Sequence, residues 1–344
     1  MNGTVGMSKA IVTLIIAGLA GLGAGGPAVA QTKVGTTFGQ FLAVEPGARF
    51  AGMGNAGVAV DEGLQAVYYN PGALGALEHP VAQFTHNAWF AGINYNYAAL
   101  AYPMSFGTLF GSVTALSSGE IDVRTVSQPL GTGERYTVSD VAVAFGYGRH
   151  VTERFVAGGQ VNYVNEQIWQ ASADAFTASL GATYQLTAAG LKLGASLSHL
   201  GTTARYSGQV LAIQYDPNPD EYGNNSALPA DQYTGDFPVP ILFRIGVSMP
   251  YRVDEESALL FVVDAYHPSD NTESMSLGAE WLWKDTLALR AGYQNLFQED
   301  SELGLTLGAG VKAAFSGTEF QFDYGWGTHE YLGSNHRVTF ELAF

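Results

Sequence analysis

Lys192, Arg244, Glu280, Arg290, Lys312, Asp323, Arg337 and Glu341 each sit opposite a row of large hydrophobic side chains in an alternating stretch. Guanidiniums, ammoniums and carboxylates gathered on one concealed face suit ion-pair networks, whereas an ion filter would favour one sign. Arg49, far upstream, needs a carboxylate partner if it joins them, and Glu280, Asp323 and Glu341 are the candidates. Gly52-Met53-Gly54-Asn55-Ala56-Gly57 fits the dinucleotide pattern G-x-G-x-x-G, but no strand–helix–strand unit surrounds it, so nucleotide binding is not expected. Asp216, Asn218 and Asp220 place oxygens two apart, as calcium loops do. The missing glycine and distal glutamate, and the crowding Pro217 and Pro219, favour a solvated acidic loop over a metal site. The seven histidines are scattered without H-E-x-x-H or G-x-S-x-G, and there is no cysteine. Neither a catalytic group nor a cofactor is expected, and the chain does not read as an enzyme.

The elements that must position these charges are strands. Leu191, Leu193, Ala195 and Leu197 interleave with Lys192, Gly194, Ser196 and Ser198, and the same period of two runs through 241–248, 303–315 and 320–326. Successive strand side chains point to opposite faces, so this is one apolar face and one small or polar face. About fourteen such segments follow one another: 79–88, 93–102, 107–116, 138–149, 154–165, 173–185, 191–200, 238–249, 257–266, 274–283, 286–295, 303–315, 318–326 and 335–344. Their lengths match the roughly 9–11 residues with which a tilted strand crosses a bilayer. The links after even-numbered segments are all short, while the two longest, 117–137 and 201–237, both follow odd-numbered ones. Short periplasmic turns and long external loops are the pattern of an outer-membrane barrel with periplasmic termini. A soluble β-sandwich also alternates, but the aromatics at segment ends, such as Tyr147, Tyr184, Trp281, Trp283, Tyr163, Tyr293 and Trp326, suit interfacial girdles.

The composition agrees. Hydrophobic residues make up 47% of the 344 and charged residues only 13%, yet no apolar run after residue 30 is long enough for a membrane helix. Lys9, the apolar stretch from Ala10 to Leu22 and Ala28-Val29-Ala30 read as a cleavable export signal over residues 1–30, with Met7 an alternative start. With 31 acidic against 15 basic residues, nucleic acid is not an expected partner. Much of the acidity falls in the proposed external connections, whose only basic residues are Arg124, Arg135 and Arg205.

Residues 31–78 lack alternation and are rich in glycine and alanine. Gly47, Gly52, Gly54 and Gly57 allow close backbone approach, and Asn70-Pro71-Gly72 is a turn signal. The run from Pro46-Gly47-Ala48-Arg49 through Gly52-Met53-Gly54 to Val58-Ala59-Val60, followed by Tyr68-Tyr69-Asn70-Pro71-Gly72-Ala73-Leu74, resembles the N-terminal signature of the PorV/PorQ family, within the FadL-like (OMPP1/FadL/TodX) superfamily of outer-membrane barrels. The family usually has Asn-Pro-Ala-Gly where this chain has Asn70-Pro71-Gly72-Ala73. The ending Phe340-Glu341-Leu342-Ala343-Phe344 is similar to the C-terminal assembly signal of such barrels, with Phe340, Leu342 and Phe344 its apolar positions.

The resemblance implies an all-β transmembrane barrel of about 14 antiparallel strands over 79–344, in contact with outer-membrane lipids, with 31–78 plugging its lumen. It implies one of two functions. In the first, a PorV/PorQ-type barrel binds a secreted or cell-surface protein in type IX secretion or surface attachment. Its external loops would make that contact, with Tyr215, Tyr222 and Tyr233 as aromatic anchors. In the second, a FadL-like transporter moves long-chain fatty acids or other hydrophobic small molecules across the outer membrane.

Overall fold

The computed structural model describes residues 35–220, 223, 227–298 and 301–344. The proposed export signal and Tyr222 lie outside the described residues. The wall comprises β1 (Val81–Ala88), β2 (Asn94–Met104), β3 (Gly107–Asp122), β4 (Arg135–Thr152), β5 (Phe155–Ile168), β6 (Ala171–Gln185) and β7 (Lys192–Gly201). It continues with β11 (Leu242–Arg252), β12 (Ser257–Pro268), β13 (Ser274–Trp283), β14 (Leu287–Leu296), β15 (Leu303–Phe315), β16 (Thr318–His329) and β17 (Gly333–Ala343). Each strand pairs antiparallel with its neighbours, β7 pairs with β11, and β1 pairs with β17 from Val81↔Ala343 to Ala88↔His336. The sheet therefore closes into a fourteen-stranded barrel without a free edge, the form in which strands satisfy their backbone in lipid. Among the described residues no helix is long and apolar enough to cross a membrane.

The barrel is turned inside out relative to a soluble sandwich. Phe84, Leu100, Phe145, Val161, Phe176, Leu180, Phe261, Leu289, Leu305 and Phe322 are exposed on the outer face. The intervening positions are buried and polar, among them Thr85, Asn162, Thr177, Ser179, Ser196, Ser248, Gln321 and Thr339. Only a hydrocarbon surrounding makes that arrangement favourable. At one end the links are tight: Lys284 and Asp285 both take left-handed backbone conformations, as do Ser316 and Gly317, which matches the strand twist in short hairpins. At the other end lie the long connections 123–134 and 202–241. Within the latter, β8 (Ser207–Gly208) pairs with β6, and β9 (Ala212–Tyr215) forms a small hairpin with β10 (Leu228–Asp231).

Residues 38–76 pack against the inward-facing side chains of the wall in short turns and single helical turns, Ala48–Ala51 and Ala66–Tyr69. Asn70 starts the turn Pro71–Ala76 by accepting from the Gly72 amide at 2.9 Å, while Pro71 supplies the φ a first helical residue needs. Phe50, Met53, Leu64, Val67, Tyr69 and Leu74 form one apolar cluster with Tyr95, Tyr97, Phe110 and Val262 of the wall. Phe38, Phe41 and Leu42 form a second with Val164, Ala173, Ala175, Ala204 and Val239.

Candidate functional site

Where this segment meets the wall, both surfaces are cut back to glycine. A Cβ on Gly278 or Gly292 would collide with Met53 and Gly54, one on Gly194 with Val58 and Ala59, and one on Gly181 with Asn70. Gly52 in turn lies on Gly308, and a Cβ there would stand 2.8 Å from the Gly308 Cα. Gly54 takes a positive φ and gives its amide to Thr306 Oγ1 at 2.8 Å. Met53 is fully buried beside them. Gly47 precedes the Ala48–Ala51 turn and packs against Gln65.

The charged side chains form a closed circuit at this level. Arg49 grips Glu280 through Nε (3.0 Å) and Nη2 (2.7 Å), and Arg290 Nε reaches the same carboxylate at 2.6 Å. Arg290 Nη1 continues to Asp323 at 2.7 Å. Asp323 accepts from Gln65 (2.7 Å) and Gln321 (2.6 Å), and Gln65 returns to Arg49 by accepting its amide at 3.0 Å. Two cations and two anions balance, which is what allows four buried charges to persist. Of the three carboxylates proposed for Arg49, Glu280 is the one that pairs with it. Glu341 is buried, with one oxygen lacking a hydrogen-bond partner. Lys192 pairs with Asp61 of the segment, and Lys312 with Glu319 at 3.4 Å on a more open surface. Asp264, which the sequence did not single out, accepts the Gly57 and Val58 amides at 2.7 and 2.9 Å.

Arg244 and Arg337 stand apart from this circuit. Arg244 is 4% exposed and faces the rings of Tyr266 (5.0 Å), Tyr68 (5.4 Å) and Tyr69 (5.7 Å). Arg337, also 4% exposed, leaves Nε and Nη1 without partners. Both line a cavity of about 330 Å³ at the end of the long connections, bounded by Val44, Glu45, Leu242, Tyr266, Trp89 and His329. A second cavity of about 450 Å³ opens at the opposite end, lined by Arg49, Asp61, Lys192, Lys312 and Glu341. Ala51 and Asn55 of the N-terminal segment border the first cavity, and Arg49, Asp61 and Gln65 border the second.

The first described residues are fastened at the long-loop end. Phe38 donates its amide to the Pro238 carbonyl at 2.9 Å, and Glu166 accepts the Gly39 amide at 2.8 Å. Asp270 accepts from Thr37 Oγ1 at 3.1 Å and Gln40 Nε2 at 2.6 Å. Tyr206 gives its hydroxyl to Glu166, and burial together with that carboxylate raises its pKa, which keeps it a donor. Tyr215 and Tyr233 are exposed; Tyr233 stacks under Arg205 at 4.6 Å. Asp216 accepts the Asn218 amide at 3.0 Å in a local turn, and Asp220 lies beyond it. Among the described residues no group of three or more His, Asp or Glu is placed to hold a metal. Phe340 and Phe344 face outward, and the Phe344 amide ties to Pro80 at 3.1 Å beside Leu342.

A closed antiparallel barrel with an apolar exterior and a charged inner face is a membrane-spanning barrel. Among solved structures it is similar to the Pseudomonas putida toluene transporter TodX, with 13% identity over 87% of this chain and 98% of that one and a TM-score of 0.55. It is also similar to the CymD monoaromatic hydrocarbon channel (15% identity, 87% and 97% covered, TM-score 0.51). A third likeness is to the Ralstonia pickettii toluene transporter TbuX (14% identity, 86% and 97% covered, TM-score 0.50). No family model matches the chain, and no curated protein does. At these identities the likeness is one of fold alone, and the PorV/PorQ assignment gains no support from it.

Proposed function

We propose that this protein is a bacterial outer-membrane channel for small, largely hydrophobic molecules, with residues 31–78 as its plug. Its leader, residues 1–30, would be removed on export, and the tight turns would face the periplasm. The observation that carries this reading is the pair of cavities stacked on either side of one glycine-fitted layer. A solute entering the cavity lined by Trp89, Tyr266 and Leu242 meets the 48–60 layer and passes only when that layer shifts. The fold shared with hydrocarbon channels supports the same reading. Type IX secretion or surface attachment, the reading first drawn from residues 46–74, has no comparable support, and Tyr215 and Tyr233 are not proposed as partner anchors.

The test is uptake. In a bacterial host lacking its own transporters of this kind, expression should raise the initial uptake rate of radiolabelled toluene and laurate in a saturable manner. Equal rates with and without the protein, from cells whose outer membranes hold the folded barrel, would overturn the proposal. Pull-down of a surface protein in place of uptake would restore the secretion reading.

A further inference from the structure

Ion pairs join most of the inward cations to carboxylates, but among the described residues neither Arg244 nor Arg337 has a carboxylate within 4.0 Å. Both are 4% exposed and both line the same cavity at the long-loop end. A buried guanidinium without a counter-ion is costly, and two around one cavity are costlier still. Tyrosine faces offset part of the charge on Arg244. Nothing comparable serves Arg337, whose Nε and Nη1 lack any hydrogen-bond partner. Directly across the β1–β17 ladder, Asn87 also leaves both polar atoms of its amide unpartnered. On Arg337 two donors are in place and nothing accepts from them.

The carboxylates that share the cavity do not supply it. Asp264 spends Oδ2 on the Gly57 and Val58 amides and leaves Oδ1 without a hydrogen-bond partner, yet it forms no ion pair with either arginine, and Asp270 is taken up by Thr37 and Gln40. Glu45 lines the cavity on the N-terminal segment but pairs with neither arginine within 4.0 Å. The remaining walls mix the apolar or aromatic Val44, Leu242 and Tyr266 with neutral polar side chains such as Asn55, Gln294 and Asn335. At about 330 Å³ the space is at the small end of ligand cavities, which run from about 300 to 1,000 Å³. We infer that this cavity binds a compact organic monocarboxylate, its carboxylate between Arg244 and Arg337 and its apolar body against Leu242 and Tyr266. Glu45 then acts as the internal rival for the same guanidiniums. This rests on the channel reading and narrows it: the preferred solute carries one negative charge and a short body.

The experiment is isothermal titration calorimetry on the full-length folded barrel in a non-ionic detergent, with sodium benzoate, toluene and sodium laurate as probes. Benzoate should bind saturably. Arg337→Gln and Arg244→Gln should each weaken it at least tenfold, Arg337→Lys less, and Glu45→Gln should tighten it. Thermal unfolding followed by circular dichroism verifies that each variant remains a barrel. Benzoate binding that ignores both arginine substitutions overturns the inference, as does displacement of benzoate by chloride at equal concentration. Toluene or laurate binding without benzoate binding overturns the inference and leaves the channel reading standing. Absence of binding by all three probes, together with absence of uptake, removes both.

Discussion

Replacing Glu280 by glutamine should detach the N-terminal segment while leaving the barrel wall intact. Glu280 is 5% exposed and is the shared counter-ion of Arg49 and Arg290. Its neutralisation leaves Arg290 still paired with Asp323, but Arg49 retains only Glu62, 4.0 Å away on an exposed side chain. Breaking a buried pair by removing one partner costs about 3–5 kcal/mol. Because one of the two guanidiniums keeps a partner, the lower end, about 3 kcal/mol, applies here. At about 1.4 kcal/mol per factor of ten, the detached population should rise by roughly two orders of magnitude. Hydrogen–deuterium exchange reads this directly. The amides of Ala51, Gly52 and Met53, bonded to Gly47, Ala48 and Phe50, should exchange roughly a hundredfold faster, with the amides of the β13–β14 ladder unchanged. Adding Arg49→Met should restore part of the protection, because it removes the orphaned charge. Unaltered exchange at Ala51–Met53, or equal acceleration in the wall, would refute the view that this circuit holds the segment to the barrel.

Three further outcomes follow from the same geometry. Gly292→Ala places a methyl group on the Met53–Gly54 backbone and should cost about 1–3 kcal/mol by overpacking, seen as a lower melting temperature and faster exchange at Gly54. Asp264→Asn weakens two bonds to backbone amides from charged to neutral strength, a loss of about 2 kcal/mol readable as exchange at Gly57 and Val58 with the barrel retained. Asp270→Ala, which frees Thr37 and Gln40, should increase toluene uptake by loosening the outer end of the segment; an unchanged rate would mean those bonds do not hold it shut.

The wall was legible because lipid imposes a strict period of two. In β11, Phe243 and Ile245 point out and Arg244 points in, as their alternation predicts. Legibility fades where strands leave the membrane. β3 and β4 continue to the pair Asp122↔Arg135 across a bulge, and β8, β9 and β10 lie within the presumed loop 201–237. Those residues are exposed on both faces, so no inside–outside periodicity marks them. The inward charges could be assigned to a face, but their pairing could not. Which carboxylate meets Arg49 depends on closing the sheet, and the roles of Gln65, Asp264 and Asp61 depend on a segment whose path follows no repeat. The wall glycines were visible as letters. Only the fitted segment gives them a purpose.

The path of that segment also bears on how the molecule can be made. It is fastened to Glu166 and Asp270 at one rim, reaches Lys192 near the other, and only then turns into β1. Its seat is cut to fit, since a methyl group added at Gly194, Gly278 or Gly292 of the wall would overlap the segment's backbone. A segment that fills so much of the lining of the wall acts as a tie between strands distant in sequence, so damage to it should reduce the yield of folded protein as well as alter the traffic through it.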